Sequence, residues 1–240
     1  MTPESSLRPV LLHMEAVDVV RFHDPHRLVL RNVHWEVREG DFWIVAGLQG
    51  SGRTDFLLTA AGLLPPRAGQ IRWFGQPPPE TEAARLAQRR RIGFVFEDGR
   101  LLSDLTVSEN LALPLAYHAE GSETQIAEAV LRMLDATELR PWAQHRSHAL
   151  PRSWQRRAGL ARALMLQPPL LLLDCPLHGL DRRHAAWWLA ALEALHAGQF
   201  PALSHPLTLV LTAEDPTPWR AIGRTVAWLE NQQLRMEPTP

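Results

Sequence analysis

Gly47-Leu48-Gln49-Gly50-Ser51-Gly52-Arg53-Thr54 constrains this chain more than any other stretch. It follows the apolar run Phe42–Ala46 and leads into Asp55-Phe56-Leu57-Leu58-Thr59-Ala60-Ala61, which reads as a helix. A strand, a glycine-rich turn and a helix start together form a phosphate cradle. The glycines let backbone N–H groups converge on an anion, and the helix N-terminus adds its positive dipole end. The spacing is G-x-x-x-x-G-x-T, with Arg53 where a phosphate-binding loop of this kind carries lysine. An ordinary Gly/Ser turn between a strand and a helix is the plain alternative, and the rest of the chain decides between the two.

The pattern around the loop alternates strands and helices. Val10 to Val20 is β-leaning, a turn is expected over 21–26, and Leu28 to Val37 alternates as a strand. Short strands are expected over 70–74, 91–96, 170–173 and 207–212, and helices over 80–91, 153–166 and 182–197. The stretch from Thr106 to Leu139 has helix-like apolar spacing at Ile126, Val130, Met133 and Leu134. This βαβ rhythm predicts an α/β fold with a mainly parallel sheet. Residues 1–9 read as a loose end.

Composition bears on three points. All 25 basic residues are arginine, so Arg53 fits a chain purged of lysine as well as it fits selection for a new function. The formal net charge of −1 gives no field favouring nucleic acid. The one cysteine, Cys175, has no partner for an internal disulfide, which makes a reducing interior the default. The opening residues do not read as a signal peptide, and no apolar run reaches the ~18 residues of a membrane span.

The second chemical element is Leu170-Leu171-Leu172-Leu173-Asp174, an apolar strand ending in an acid 120 residues after Thr54. Such an aspartate holds Mg²⁺ in P-loop NTPases, while an aspartate that caps the next helix is the commoner case; its position after Thr54 within an α/β pattern favours the first. At this point the chain, from about Met14 to Gln233, resembles an ABC-type ATPase, the nucleotide-binding subunit of ABC transporters. The resemblance also rests on Glu39-Gly40-Asp41, on Ala61-Gly62-Leu63-Leu64-Pro65 with Gly69 and Ile71, and on Leu101 to Leu111. Arg157-Ala158-Gly159-Leu160-Ala161-Arg162-Ala163-Leu164, Leu173-Asp174-Cys175-Pro176 and Leu177-His178-Gly179-Leu180-Asp181 complete it. It implies a P-loop NTPase core with a mainly parallel sheet flanked by helices, an N-terminal antiparallel β region, and a helical subdomain at about 99–164 within one domain over 10–236. It also implies ATP and Mg²⁺ as ligands. Gly47, Gln49, Gly50, Ser51, Gly52, Arg53, Thr54 and Asp55 would hold the nucleotide, and Thr54 and Asp174 the metal. Phe22 has two readings: stacking on adenine as the family's A-loop aromatic does, or packing under the sheet.

The departures from the family fall at the chemistry. Besides Arg53, the Q-loop glutamine is Glu97, whose carboxylate can also sit near Mg²⁺. The signature Leu-Ser-Gly-Gly-Gln reads Leu150-Pro151-Arg152-Ser153-Trp154, the catalytic glutamate is Cys175, and the switch histidine is Glu214. Arginine keeps the charge of lysine but not its compact ammonium. Cysteine offers no carboxylate to activate water, a role typically contributing about 10²- to 10⁴-fold. Glu214 adds negative charge near the γ-phosphate, Pro151 removes a backbone donor and Trp154 adds bulk. Five coinciding losses imply a cassette intact in structure and weak in hydrolysis.

The resemblance further implies a membrane permease as partner, engaged through Glu97 to Leu115, and a homodimer or a heterodimer with another ABC ATPase. It implies a cytoplasmic location, peripheral on the inner face of the cell membrane. The wording of Gly99-x-Leu101 and Val107 to Leu115 is similar to ATPases of Mla-type lipid transporters. A non-catalytic partner of an active cassette is a second reading. A soluble nucleic-acid-associated cassette is a third, disfavoured by the near-neutral charge. The histidines lack paired metal-ligand spacing and default to solvated loops. Trp187-Trp188 reads as core or docking surface.

Overall fold

A computed structural model describes residues 8–222 and 225–237, so the loose end expected at 1–9 falls mostly outside the described residues. The strand before the glycine loop, β3 (Phe42–Ala46), is buried at every position. It lies within a six-stranded sheet with β5 (Ile92–Val95), β6 (Leu170–Leu173), β7 (Thr208–Ala213), β8 (Thr225–Glu230) and β9 (Gln233–Met236), in the order β5-β6-β7-β3-β8-β9. All pairs in it are parallel except β8–β9. Continuous apolar runs suit this position, because a parallel sheet covered on both faces leaves no polar side.

Side-chain alternation divides the core in two. Phe42, Ile44, Leu171, Leu173, Leu209 and Leu211 face one layer of helices. Trp43, Val45, Leu170, Leu172 and Val210 face α1 (Arg53–Ala60) and a separate antiparallel sheet. That second sheet has the order β2-β1-β4, from β1 (Val10–Arg21), β2 (Asp24–Arg38) and β4 (Ala68–Trp73). The turn expected over 21–26 shrinks to Phe22 and His23, because Arg21 already pairs with Asp24. Both long strands bend through irregular register, with Ala16 at φ 51° and Asn32 at φ 48°.

α2 (Glu82–Arg89) precedes β5. The helical subdomain consists of α3 (Val107–Tyr117), α4 (Glu123–Ala136) and α5 (Arg152–Leu164). Thr106 and Glu109 form a reciprocal capping box at the start of α3, and these hydrogen bonds hold the Glu109 carboxyl below its ordinary range. The buried Asn110 amide ties Leu102, Leu105 and Thr106 to that helix. α6 (Arg182–Ala197), capped by Asp181, runs from β6 back toward β7. The main departure from expectation is the β8–β9 hairpin, which extends the parallel sheet beyond β3.

Candidate functional site

The glycine loop leaves β3 at its C-terminal edge. Gly47 N–H donates to Ala213 O at 3.1 Å and Ser51 N–H to Leu48 O at 3.1 Å, which closes the turn. Gly52 caps α1 in the left-handed region, at φ 93° and ψ 22°, and its carbonyl accepts from Phe56 N–H at 2.8 Å. Val29 lies against Gly52 so closely that a Cβ there would meet Val29 Cγ1 at 1.9 Å. Among the described residues, the N–H groups of Gly50, Gly52, Arg53, Thr54 and Asp55 meet no protein acceptor. Such N–H groups at the head of a helix can hold an anion, as the cradle reading requires. Gln49 is exposed on the loop. The carboxylate of Asp55 is not part of the cradle: it is buried and accepts Phe22 N–H at 2.8 Å, holding the β1–β2 turn on α1. Phe22 itself is 43% exposed, so of its two readings the one under the sheet does not hold.

Next to the cradle, the end of β6 supplies the acid. Thr54 Oγ1 donates to Asp174 Oδ2 at 2.7 Å and Thr212 Oγ1 to Asp174 Oδ1 at 2.9 Å. Burial pushes the Asp174 carboxyl up from its ordinary range, while these two hydroxyls pull it down. Cys175 follows at φ 44°, with its N–H on Thr212 Oγ1 at 2.9 Å and its thiol 3.5 Å from the same oxygen. Burial, then the charge of Asp174, pushes that thiol up to about 11. It is therefore an inert protonated thiol.

Arg53, Cys175, His178, Thr212, Glu214 and Asp215 line one cleft of about 160 Å³. Arg53, Cys175 and Glu214, expected at the lysine, catalytic-glutamate and switch-histidine positions, are thus brought together. Glu97 lies on the neighbouring wall, with Oε1 2.6 Å from His178 Nδ1. Below that pair the buried Arg156 guanidinium donates to Glu97 O, Pro176 O (3.2 Å) and His178 O (2.7 Å). Burial lowers the pKa of Arg156 and the nearby acids oppose the shift. Sequence reading missed Arg156 and His178. Arg156 lies two residues past the signature segment, but nothing in the sequence aims it at two other loops. Arg156 and Glu97 also line a larger groove of about 450 Å³, with Asp98, Arg100, Leu101 and Arg152.

The signature segment is occupied differently. α5 starts at Arg152 behind Pro151 with no side-chain cap. Trp154 turns inward, 5.9 Å from Trp142 between ring centroids and 5.1 Å edge-on from His184. The buried Arg157 guanidinium is sandwiched 4.4 Å from Trp154 and 3.8 Å from Trp187, and it pairs with Glu138 at 2.7 Å. Trp188 is core. His184 departs from the solvated-loop expectation: it is buried against Arg157, with Nδ1 3.2 Å from Nη2. Burial and Arg157 both lower its pKa. Among the described residues, no three His, Cys, Asp or Glu side chains gather as a metal cluster. No helix among them is long and apolar enough to cross a membrane.

The model of one protein family, described as ABC transporter, matches residues 30–178. Among solved structures, the chain superposes on the bacterial ABC transporter cassette MJ0796 with a TM-score of 0.84 and 26% identity, covering 96% of this chain and 99% of that one. MJ0796 is a dimer there, in one case in a post-hydrolysis state with ADP and Pi bound. The chain is similar in fold to cbiO1 of Clostridium perfringens, part of the ABC transporter complex cbiONQ, with a TM-score of 0.79 and 20% identity over 97% of this chain and 89% of that one.

Proposed function

Because this chain belongs to the ABC transporter family as an ATP-binding cassette, we propose that it binds ATP with Mg²⁺ at the glycine loop and hydrolyses it weakly or not at all. One observation carries the reading. The cradle of Gly50 to Asp55 and the Thr54–Asp174 pair are retained, while the cleft beyond them holds Cys175 and Glu214 where the family's chemistry needs a base and an imidazole. The residues fit the metal: Thr54 and Asp174 offer two hard oxygen donors 2.7 Å apart, and Mg²⁺ keeps its remaining positions for water and phosphate rather than a full protein cage. When bound, the ion neutralises charge on the phosphates. Arg53 adds fixed positive charge, and Phe22 is free to stack on the base. Glu97 is engaged by His178 in this state but remains beside Asp174, whose carboxyl it pushes up.

The groove lined by Glu97, Asp98, Arg100, Leu101 and Arg152 is the surface we assign to a membrane permease, with the exposed Leu102 between its lining residues Leu101 and Ser103. This assignment goes with a cytoplasmic location, peripheral on the inner face of the membrane, and with a dimer of cassettes like that of MJ0796, to which the chain is similar. The inward-turned Trp154 favours a second reading: a partner cassette with an intact signature completes this chain's nucleotide site, and this chain acts as the non-catalytic half. The net charge of −1 still speaks against a nucleic-acid role.

Calorimetry with MgATP tests the binding, with an expected affinity in the micromolar range. Phosphate release by the wild-type chain should stay far below about 1 s⁻¹. Absence of binding at millimolar nucleotide overturns the reading, and turnover at about that rate or faster overturns the claim of weak hydrolysis.

A further inference from the structure

Six buried side-chain polar atoms among the described residues have no hydrogen-bond partner, and three of them belong to the glycine loop and the turn beside it: Arg21 Nε, Ser51 Oγ and Arg53 Nη1. The other three sit elsewhere, on Trp35, Arg157 and Trp188. Buried donors left without acceptors are rare in folded proteins, and each calls for an explanation. Ser51 and Arg53 belong to the loop. Arg21 does not.

Arg21 is the last residue of β1, at the hairpin turn that lies on the loop. Three contacts fix this hairpin there: Arg21 Nη2 reaches Gly50 O at 3.5 Å, Phe22 N–H donates to Asp55 Oδ1 at 2.8 Å, and Val29 covers Gly52. Two carboxylates of the hairpin and the helix start are committed to main-chain donors. Asp24, opposite Arg21 in the hairpin, accepts from His26 N–H at 3.1 Å, and Asp55 accepts from Phe22 N–H. Among the described residues neither pairs with Arg21, and its one long bond to a carbonyl leaves most of its five donors unused.

We propose that Arg21 is a further nucleotide-binding residue, whose guanidinium brings a second positive charge to the phosphate chain at the Gly50 side of the loop. This rests on the reading of the loop as a nucleotide site. Arg53 lines the cleft with Cys175 and Glu214, whereas Arg21 meets the loop at the Gly50 carbonyl. Arg21 therefore contacts phosphates common to ADP and ATP, and it also steadies the Gly50 carbonyl, which keeps the adjoining N–H groups aimed at the anion.

The test is calorimetry of the full chain with MgADP and MgATP at several salt concentrations. Arg21→Gln should weaken both nucleotides by about tenfold or more, equally for the two, and should make the dependence of affinity on salt shallower. Arg21→Lys, which keeps charge without the fork, should recover part of the loss and carries the comparison if the glutamine variant melts early. MgADP affinity of Arg21→Gln equal to wild type overturns the inference, as does a loss with an unchanged salt dependence, which would make Arg21 structural only. A wild type that binds neither nucleotide overturns the nucleotide reading itself, whereas a binding wild type with an unaffected variant overturns Arg21 alone.

Discussion

Gly50 and Gly52 share a positive φ, 82° and 93°, but not the same surroundings. Open space surrounds Gly50, whereas a Cβ on Gly52 collides with Val29. Alanine at Gly50 therefore costs backbone strain alone, about 1 kcal/mol or slightly more. Alanine at Gly52 adds a clash that must push β2 off α1, and should cost at least about 2 kcal/mol. Urea unfolding of the two variants checks the order, and equal losses would show that the hairpin yields freely. Residues such as these were legible because the loop's chemistry is local and its spacing fixed. Asp55 was legible in position only. Its neighbours in sequence place it at the cradle, but its carboxylate is spent on Phe22, a residue 33 positions earlier.

At the scale of elements, α5 and α6 are joined by an aromatic and cationic cluster rather than by aliphatic packing alone. His184 is neutral within it, its pKa lowered by burial and by Arg157 from an ordinary 6.5. The unfolded chain takes up that proton first as pH falls, so more protons bind to the unfolded state and stability drops below about pH 6.5. Above that pH the contribution is constant. Melting temperatures between about pH 7.5 and 5.5 should fall less steeply for His184→Gln than for wild type. An identical slope would mean His184 titrates in the fold as it does in water. The parallel strands were readable from runs such as Leu170–Leu173, since two-sided burial writes itself as uninterrupted apolar sequence. The β8–β9 hairpin was not. Its turn residues Asn231 and Gln232 both have positive φ, 49° and 60°, a geometry usually announced by Asn-Gly and here hidden behind a glutamine.

For the molecule as a whole, the positions we read as substituted fall into two groups that no single repair can join. Arg53, Cys175 and Glu214 share one cleft, while Trp154 belongs to the cluster around Arg157. The change Arg53→Lys, Cys175→Glu, Glu214→His should stay near background in a homodimer, because groups acting as a unit give little until the set is complete. Adding Leu-Ser-Gly-Gly-Gln at 150–154 should raise phosphate release by at least about 10²-fold. It should also lower stability by about 1–2 kcal/mol, since it strips one aromatic face from Arg157. Full activity of the triple variant would overturn that grouping. The buried Arg156 connects the parts in another way. Glu97 walls the large groove and His178 walls the cleft, and one guanidinium clasps the main chain of both. The Glu97 and His178 loops are thus held against one another through a single buried side chain. α5 itself crosses at the same joint, where a Cβ on Gly159 would lie 2.7 Å from Gly99 Cα, so no slack remains for the helix to slide. A shift of either the Glu97 or the His178 loop would therefore strain the bonds Arg156 makes to the other.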